Sequence, residues 1–170
     1  MPRVLQNYVR FMDLATMRFG LGLRSLIFVI IGVLLFETIA RYIFNVPTIW
    51  SVEVSKFLFG AYFILGGGYV LLTGGHVRMD VLYGRWSPRR QAIMDAALFV
   101  FFLIYVVITF WASTQHAITS TIMLQRSGTP WHPYLWPIKI IVAIGFLLML
   151  LQGISQFIKT IATIRGKSLP

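Results

Sequence analysis

Four apolar stretches, each close to the length of a membrane-spanning helix, decide what this chain can fold into. They cover residues 23–44, 50–73, 91–113 and 134–158, and shorter polar connections separate them. A helix needs about 20 apolar residues to cross the roughly 30 Å hydrocarbon layer of a bilayer. Hydrophobic residues make up 58% of the chain and charged residues only 12%, far from an average soluble composition. The sequence therefore predicts an all-α membrane protein with four transmembrane helices in a phospholipid bilayer.

Two further helical features extend this plan. An amphipathic helix is predicted over residues 3–20, because apolar side chains recur there at spacings of three and four. A basic amphipathic helix next to a span commonly lies in the cytoplasmic interface of the membrane. The third helix is expected to continue from 91–113 to about residue 125, since the first strong helix stop is Gly128-Thr129-Pro130.

The basic residues predict the orientation. Four lie in the N-terminal stretch that ends at Arg24, and none lies in the 45–50 turn. Four follow the second span, one lies between the third and fourth spans, and three follow the fourth. Positive charge concentrates on the cytoplasmic side of membrane proteins. Both termini and the connection over 74–90 are therefore expected in the cytoplasm. This distribution accounts for the net charge of +10 without nucleic acid as a partner.

The hairpin from Glu37 to Lys56 places four charges at or near membrane depth. A charge at the bilayer centre costs at least about 2.5–3.5 kcal/mol, so these charges need partners. Glu37 precedes Arg41 by four residues on one helical face, the favourable order for an ion pair. Glu53 and Lys56 lie three residues apart and are expected to pair likewise. An arginine beside a carboxylate favours its ionised form, so pairing favours a structural or interface role over proton cycling.

The ends of the two hairpin helices are also readable. Pro47 cannot continue a helix and disfavours helical geometry at the residue before it, so the first helix should end at Asn45 to Pro47. Thr48 or Ser51 is expected to cap the next helix. The Gly66-Gly67-Gly68 run is interpreted as a face for close helix packing rather than a kink.

Most kinds of chemistry have no candidate residues in this sequence. It contains no cysteine, no nucleophile motif of the GxSxG or SxxK type and no phosphate-binding glycine loop. His76 is expected at the inner end of the second span, whereas His116 and His132 belong to the outer side, so they cannot share one haem iron. The chain is not expected to be an enzyme, and no metal or other cofactor is predicted.

The connection after the second span leaves two interpretations open. His76, Arg78 and Asp80 lie together in it and could form a gate or a docking loop. They could equally belong to a solvated loop that sets orientation, in which a local Arg78–Asp80 pair contributes little.

Three ordered groups of residues resemble a known family. The segment Arg41-Tyr42-Ile43-Phe44-Asn45-Val46-Pro47, followed by Trp50 and Glu53, resembles the first-hairpin signature of the small membrane subunit of tripartite ATP-independent periplasmic (TRAP) transporters. Gly68-x-x-x-Leu72 followed by residues 76–82 (HVRMDVL) is similar to its second signature. Pro130 and Pro137, with Gln152 in the last span, resemble its final helix. The resemblance covers residues 24–158.

The resemblance implies a protein that works with partners in a bacterial inner membrane. In that family a periplasmic binding protein delivers an organic acid to the membrane complex. The large membrane subunit carries the substrate and sodium sites, and the small subunit is its scaffold. The residues expected to form the subunit interface or to support it are Glu37, Arg41, Tyr42, Asn45, Pro47, Trp50, Glu53, Lys56, His76, Arg78 and Asp80.

The alternative is a self-sufficient, proton-coupled carrier of the small four-helix multidrug type, which also has a glutamate in its first span. Arg41 beside Glu37 and the long third helix are surplus to such a minimal carrier and favour the scaffold subunit.

Overall fold

Four long α-helices form the protein, whose computed structural model describes residues 3–73 and 88–164. Each helix is long and apolar enough to cross a membrane, which confirms the predicted all-α fold with four spanning helices. In chain order the helices are α1 (Arg3–Tyr42), α2 (Ser51–Leu72), α3 (Pro88–Ile122) and α4 (Trp136–Ile164).

The first helix is continuous over 40 residues, about 60 Å at 1.5 Å per residue. It does not end near residue 20, where the sequence predicted a separate interfacial helix to stop. No proline lies between residues 3 and 46, so nothing interrupts the hydrogen-bond ladder. Gly20 serves packing instead, because a Cβ built on it would lie 2.2 Å from Cδ2 of Tyr69 in α2. The amphipathic segment and the first span are therefore one rod.

The long third helix ends at Ile122, close to the predicted limit near residue 125. Helix α4 lies at the centre of the bundle and packs against each of the other three helices. Helix α1 packs on α2 and α4, whereas α3 packs mainly on α4. One side of α3 therefore presents a line of exposed large side chains, namely Phe101, Tyr105, Ile108 and Trp111.

Polar side chains account for much of the buried interior. Among the described residues, eight hydrophobic and seven polar or charged residues are buried. Lipid tails are as apolar as leucine, so hydrophobicity alone does not drive helices together in a membrane. Close packing at small residues and interhelical hydrogen bonds supply that association. The polar contacts therefore define which helices meet.

Two of the three consecutive glycines of α2, Gly67 and Gly68, form the expected packing face. A Cβ on Gly67 would lie 2.1 Å from Cε of Met149, and one on Gly68 would lie 3.7 Å from the Leu148 carbonyl oxygen. Both neighbours belong to α4. Helix α2 runs through the glycines without a break, so packing rather than a kink explains the run.

A glycine-to-alanine pair tests this contact from the α4 side. A Cβ on Gly145 would lie 2.1 Å from Cγ2 of Ile64 and 3.1 Å from its carbonyl carbon, and the backbone cannot move aside as a side chain can. We expect Gly145→Ala to lower the unfolding free energy by about 1–3 kcal/mol, the usual effect of overpacking. The measurement is unfolding of the purified protein in detergent.

The matched control is Gly66→Ala in α2, where no atom lies within 4 Å of the added Cβ. This change should be neutral or slightly stabilising, since alanine has the higher helix propensity by about 1 kcal/mol. Equal destabilisation by both changes would contradict the close contact between α2 and α4.

Candidate functional site

The carboxylate of Glu37 is the centre of a polar site at the end of α1. Nε and Nη2 of Arg41 donate to its Oε1 at 3.0 and 2.5 Å. On the other oxygen, the Thr48 backbone N–H donates at 3.2 Å, the Ser51 hydroxyl donates at 2.7 Å, and the Thr48 hydroxyl donates as well. Glu37 is 9% exposed. Both oxygens therefore have their partners within the chain.

The turn between α1 and α2 brings these donors to Glu37. Asn45 has a φ of 53°, in the left-handed region that asparagine tolerates better than most residues. The chain reverses there, and the Val46 N–H reaches back to the Ala40 carbonyl at 2.9 Å. Pro47 follows immediately, which places Thr48 beside the end of α1. The predicted helix stop at Asn45 to Pro47 thus produces the turn that closes the site.

The hydroxyls of Thr48 and Ser51 have a different role from the predicted one. The residue at the N-cap position of α2 is Trp50, and no side chain caps that helix end. Both hydroxyls bind the Glu37 carboxylate instead. A charged acceptor makes a stronger hydrogen bond than a neutral one, and these bonds hold both side chains towards Glu37.

The second glutamate of the hairpin contacts a different part of the chain. Glu53 is 6% exposed, and the Ser127 hydroxyl donates to its Oε1 at 3.4 Å. The predicted pair with Lys56 is wrong: the ion pairs of the described residues are Arg41–Glu37 and Lys159–Asp13. Glu53 turns inward towards the α3–α4 connection, while Lys56 is exposed on the adjoining face of α2.

The α3–α4 connection is a folded loop that presents Ser127 to Glu53. The Ser127 N–H donates to the Pro133 carbonyl and the Leu135 N–H to the Gln125 carbonyl, both at 2.9 Å. The guanidinium of Arg126 lies 4.3 Å from the centre of the Tyr134 ring, a cation–π contact. These contacts fix the loop, so the hairpin and the loop form one continuous polar end of the bundle.

A second polar site, which the sequence did not reveal, joins α1 to α4 at the end of the bundle opposite the Glu37 site. It lies near the start of α1 and near the end of α4. Lys159 forms an ion pair with Asp13. The Gln152 amide donates to the same carboxylate at 3.0 Å and the Ser155 hydroxyl at 3.4 Å. Thr16 completes the network by donating to Gln152 Oε1 at 2.8 Å. We call these five residues the Asp13 site.

The Asp13 site is deeply packed. Gln152 and Ser155 are both fully buried at 0% exposure. Closer to the start of α1, the Tyr8 hydroxyl donates to the Leu151 carbonyl of α4 at 3.0 Å. The polar residues are spaced three or four apart on each helix, which places them on one face. That spacing was the available signal, although it does not say which two helices meet.

The remaining predicted site residues do not form a common site. Trp50 stacks on Phe36 with ring centroids 5.9 Å apart. Tyr42 is 77% exposed, and both Asn45 and Pro47 lie on the exposed surface of the turn. The three residues of the second connection, His76, Arg78 and Asp80, lie outside the described residues.

The arrangement favours structure over chemistry. Within residues 3–73 and 88–164, no group of three or more histidine, cysteine or acidic side chains could hold a metal ion. The carboxylates at the two ends of α1 accept hydrogen bonds from side chains of the same bundle. Paired in this way, they hold helices in register.

The comparison with curated proteins gives no match to this chain. The family described as tripartite ATP-independent periplasmic transporters, DctQ component, matches residues 30–163. The match begins in the middle of α1 and includes the whole Glu37 site, the folded loop and nearly all of α4. Because it covers well over half of the chain and the fold is the expected bundle of four spanning helices, the protein belongs to the DctQ family, the small membrane component of TRAP transporters.

Proposed function

We propose that this protein is the scaffold subunit of a TRAP transporter that takes up an organic acid with the sodium gradient. In this proposal a periplasmic binding protein captures the acid, and the large membrane subunit moves it together with sodium. The small subunit holds the large one in the bilayer. Membership of the DctQ family over residues 30–163 supports the assignment to such a complex.

The main support for the scaffold role is that both oxygens of the Glu37 carboxylate accept hydrogen bonds from the chain itself. A carboxylate that cycles protons must be free to lose its partners and become neutral. Glu37 instead accepts from Arg41, Thr48 and Ser51, and breaking that set would leave buried polar groups unpaired. This arrangement argues against the small multidrug-type carrier, in which the glutamate itself would be the coupling site.

The exposed side of α3 suits a subunit surrounded by lipid and protein. Phe101 is 72% exposed and Trp111 is 68% exposed, on the helix that packs mainly against α4. Large apolar side chains so exposed are stable only in hydrocarbon or against another protein. They give the small subunit a broad surface within the membrane.

The proposed location is the bacterial inner membrane with both termini in the cytoplasm. Four spans place the two ends of the chain on the same side, and the positive-inside rule assigns that side to the cytoplasm. The Glu37 site and the folded loop then face the periplasm, where the binding protein docks. A reporter that is active only in the cytoplasm should be active when fused after residue 170, and one that is active only in the periplasm should be inactive there.

Reconstitution tests the scaffold role. The purified chain alone in liposomes should show no sodium- or proton-driven uptake of organic acids or of cationic drugs. The chain together with its large subunit and binding protein should show sodium-dependent acid uptake. Proton-coupled flux by the chain alone would refute the scaffold role and establish the multidrug-type carrier.

A further inference from the structure

A groove separates α1 from α2 beside the Glu37 site and has a volume of about 460 Å³. It opens on the half of the bundle that carries the α1–α2 turn. Two of its polar side chains, Glu37 and Ser51, are hydrogen-bonded to each other. The other two, Ser55 and Lys56, take no part in that hydrogen-bond network. The lining residues on which the inference depends are Leu34, Glu37, Val52, Ser55, Lys56 and Phe59.

Lys56 and Ser55 are the two unmatched groups. Lys56 is exposed, and neither of the two ion pairs of the described residues includes it. Ser55 is 7% exposed, and its hydroxyl oxygen makes no hydrogen bond within the described part of the chain. A cation and a buried hydroxyl next to each other form a natural site for an anionic oxygen.

The position of Lys56 along α2 favours an ion-pair partner for its ammonium group. It lies five residues, about 7.5 Å, along α2 from the helix end at Ser51. The 22 residues of α2 span about 33 Å, which matches the roughly 30 Å hydrocarbon layer. The Cα of Lys56 is therefore expected inside the hydrocarbon, where a lysine either pairs with an anion or extends its ammonium towards the interface.

We propose that the groove receives a transmembrane helix of the large subunit, whose carboxylate side chain pairs with Lys56. The inference rests on the proposed function, since it requires a large membrane subunit. Arg41 neutralises Glu37, so the lining residues of the groove carry one uncompensated positive charge, that of Lys56. A carboxylate on a neighbouring helix complements it.

Depth favours a protein carboxylate over a phospholipid as the occupant. Phospholipid phosphates lie in the headgroup region, outside the hydrocarbon layer. A carboxylate on a helix can lie level with Lys56, and the apolar side chains of Leu34, Val52 and Phe59 offer contacts to the same helix. Van der Waals packing and polar contacts together hold helices against each other in lipid.

Copurification tests the pairing. A tagged chain is produced with its large subunit, and the large subunit recovered per chain is measured in mild detergent. Lys56→Glu should reduce that recovery by about tenfold or more, because two carboxylates then meet in a desolvated contact. Lys56→Arg keeps the charge and should retain the large subunit. Arg10→Glu reverses an exposed cation at the other end of α1 and serves as the matched control.

Photo-crosslinking identifies the occupant. A photoreactive residue at Val52 or Phe59, which are 46% and 39% exposed, should give an adduct with the large subunit that Lys56→Glu abolishes. Adducts with phospholipid alone, together with undiminished recovery in Lys56→Glu, would overturn the proposal and assign the groove to a lipid. If Lys56→Glu does not accumulate in the membrane, Lys56→Gln removes the charge at nearly the same size and should show the same loss.

The two proposals fail in different ways. A wild-type chain that retains no large subunit refutes the proposed function itself. Recovery of the large subunit that is equal for the wild-type chain, the Lys56→Gln variant and the Lys56→Glu variant refutes the groove pairing alone.

Discussion

Replacement of Glu37 by leucine is expected to lower the unfolding free energy by about 3 kcal/mol or more. The change removes the acceptor for Arg41, Thr48 and Ser51. It leaves the buried Ser51 hydroxyl and the half-buried Thr48 without that partner and removes the ion pair with Arg41. The turn between α1 and α2 should then separate from the end of α1. The measurement is denaturant unfolding of the purified chain in detergent, with the loss of helix monitored by circular dichroism.

Glu37→Gln is the matched variant for this experiment. The amide oxygen still accepts from the Ser51 hydroxyl, while the ion pair with Arg41 is lost. We expect an intermediate loss, because the guanidinium of Arg41 is partly exposed and regains hydration. A leucine variant as stable as the wild type would show that the site contributes nothing to the hairpin.

Separation of α1 from α4 at the Asp13 site should have the second largest effect. Lys159→Met removes the cation and leaves the Asp13 carboxylate in a packed environment, and Asp13→Asn removes the anion. Each change is expected to lower the unfolding free energy by about 2 kcal/mol, less than for a fully buried pair, since both side chains are about one-quarter exposed.

A double-mutant cycle separates the interaction energy between Asp13 and Lys159 from any other destabilising effect of each substitution. The double variant should be less destabilised than the sum of the two single variants, with a coupling energy of about 1 kcal/mol. Lys139→Met is the control, since this lysine donates to Gln125 at the other end of α4. Strict additivity of Lys159→Met and Asp13→Asn would mean that the two side chains do not interact.

The sequence was most informative where the partners are close along the chain. Glu37 and Arg41 are four residues apart, so helical geometry alone brings them together, and the structure contains that pair. The turn at Asn45 and Pro47 follows from the backbone restrictions of those two residues. The number and length of the spanning helices follow from the bilayer thickness.

Sequence reasoning failed where a choice among distant partners decides the contact. Glu53 and Lys56 are three residues apart, but Glu53 bonds to Ser127, 74 residues away. The partners of Asp13 are Gln152, Ser155 and Lys159, which follow it by 139, 142 and 146 residues along the chain. Periodicity shows that each polar residue lies on a helix face, yet it does not show which face of another helix it meets. Packing of the whole bundle selects those partners.

The two polar sites also differ in when they can form during synthesis. Glu37 meets donors 11 and 14 residues ahead of it, so the first hairpin can close as soon as α2 has entered the membrane. Asp13 can form its ion pair only after Lys159 of α4 has been synthesised. Until then a carboxylate near the start of the chain has no ion-pair partner from α4, and a chain that stops before the final helix cannot complete the pair. The Asp13 site thus forms only once α1 and α4 have both been inserted, whereas the contacts of α1 with α2 can form earlier.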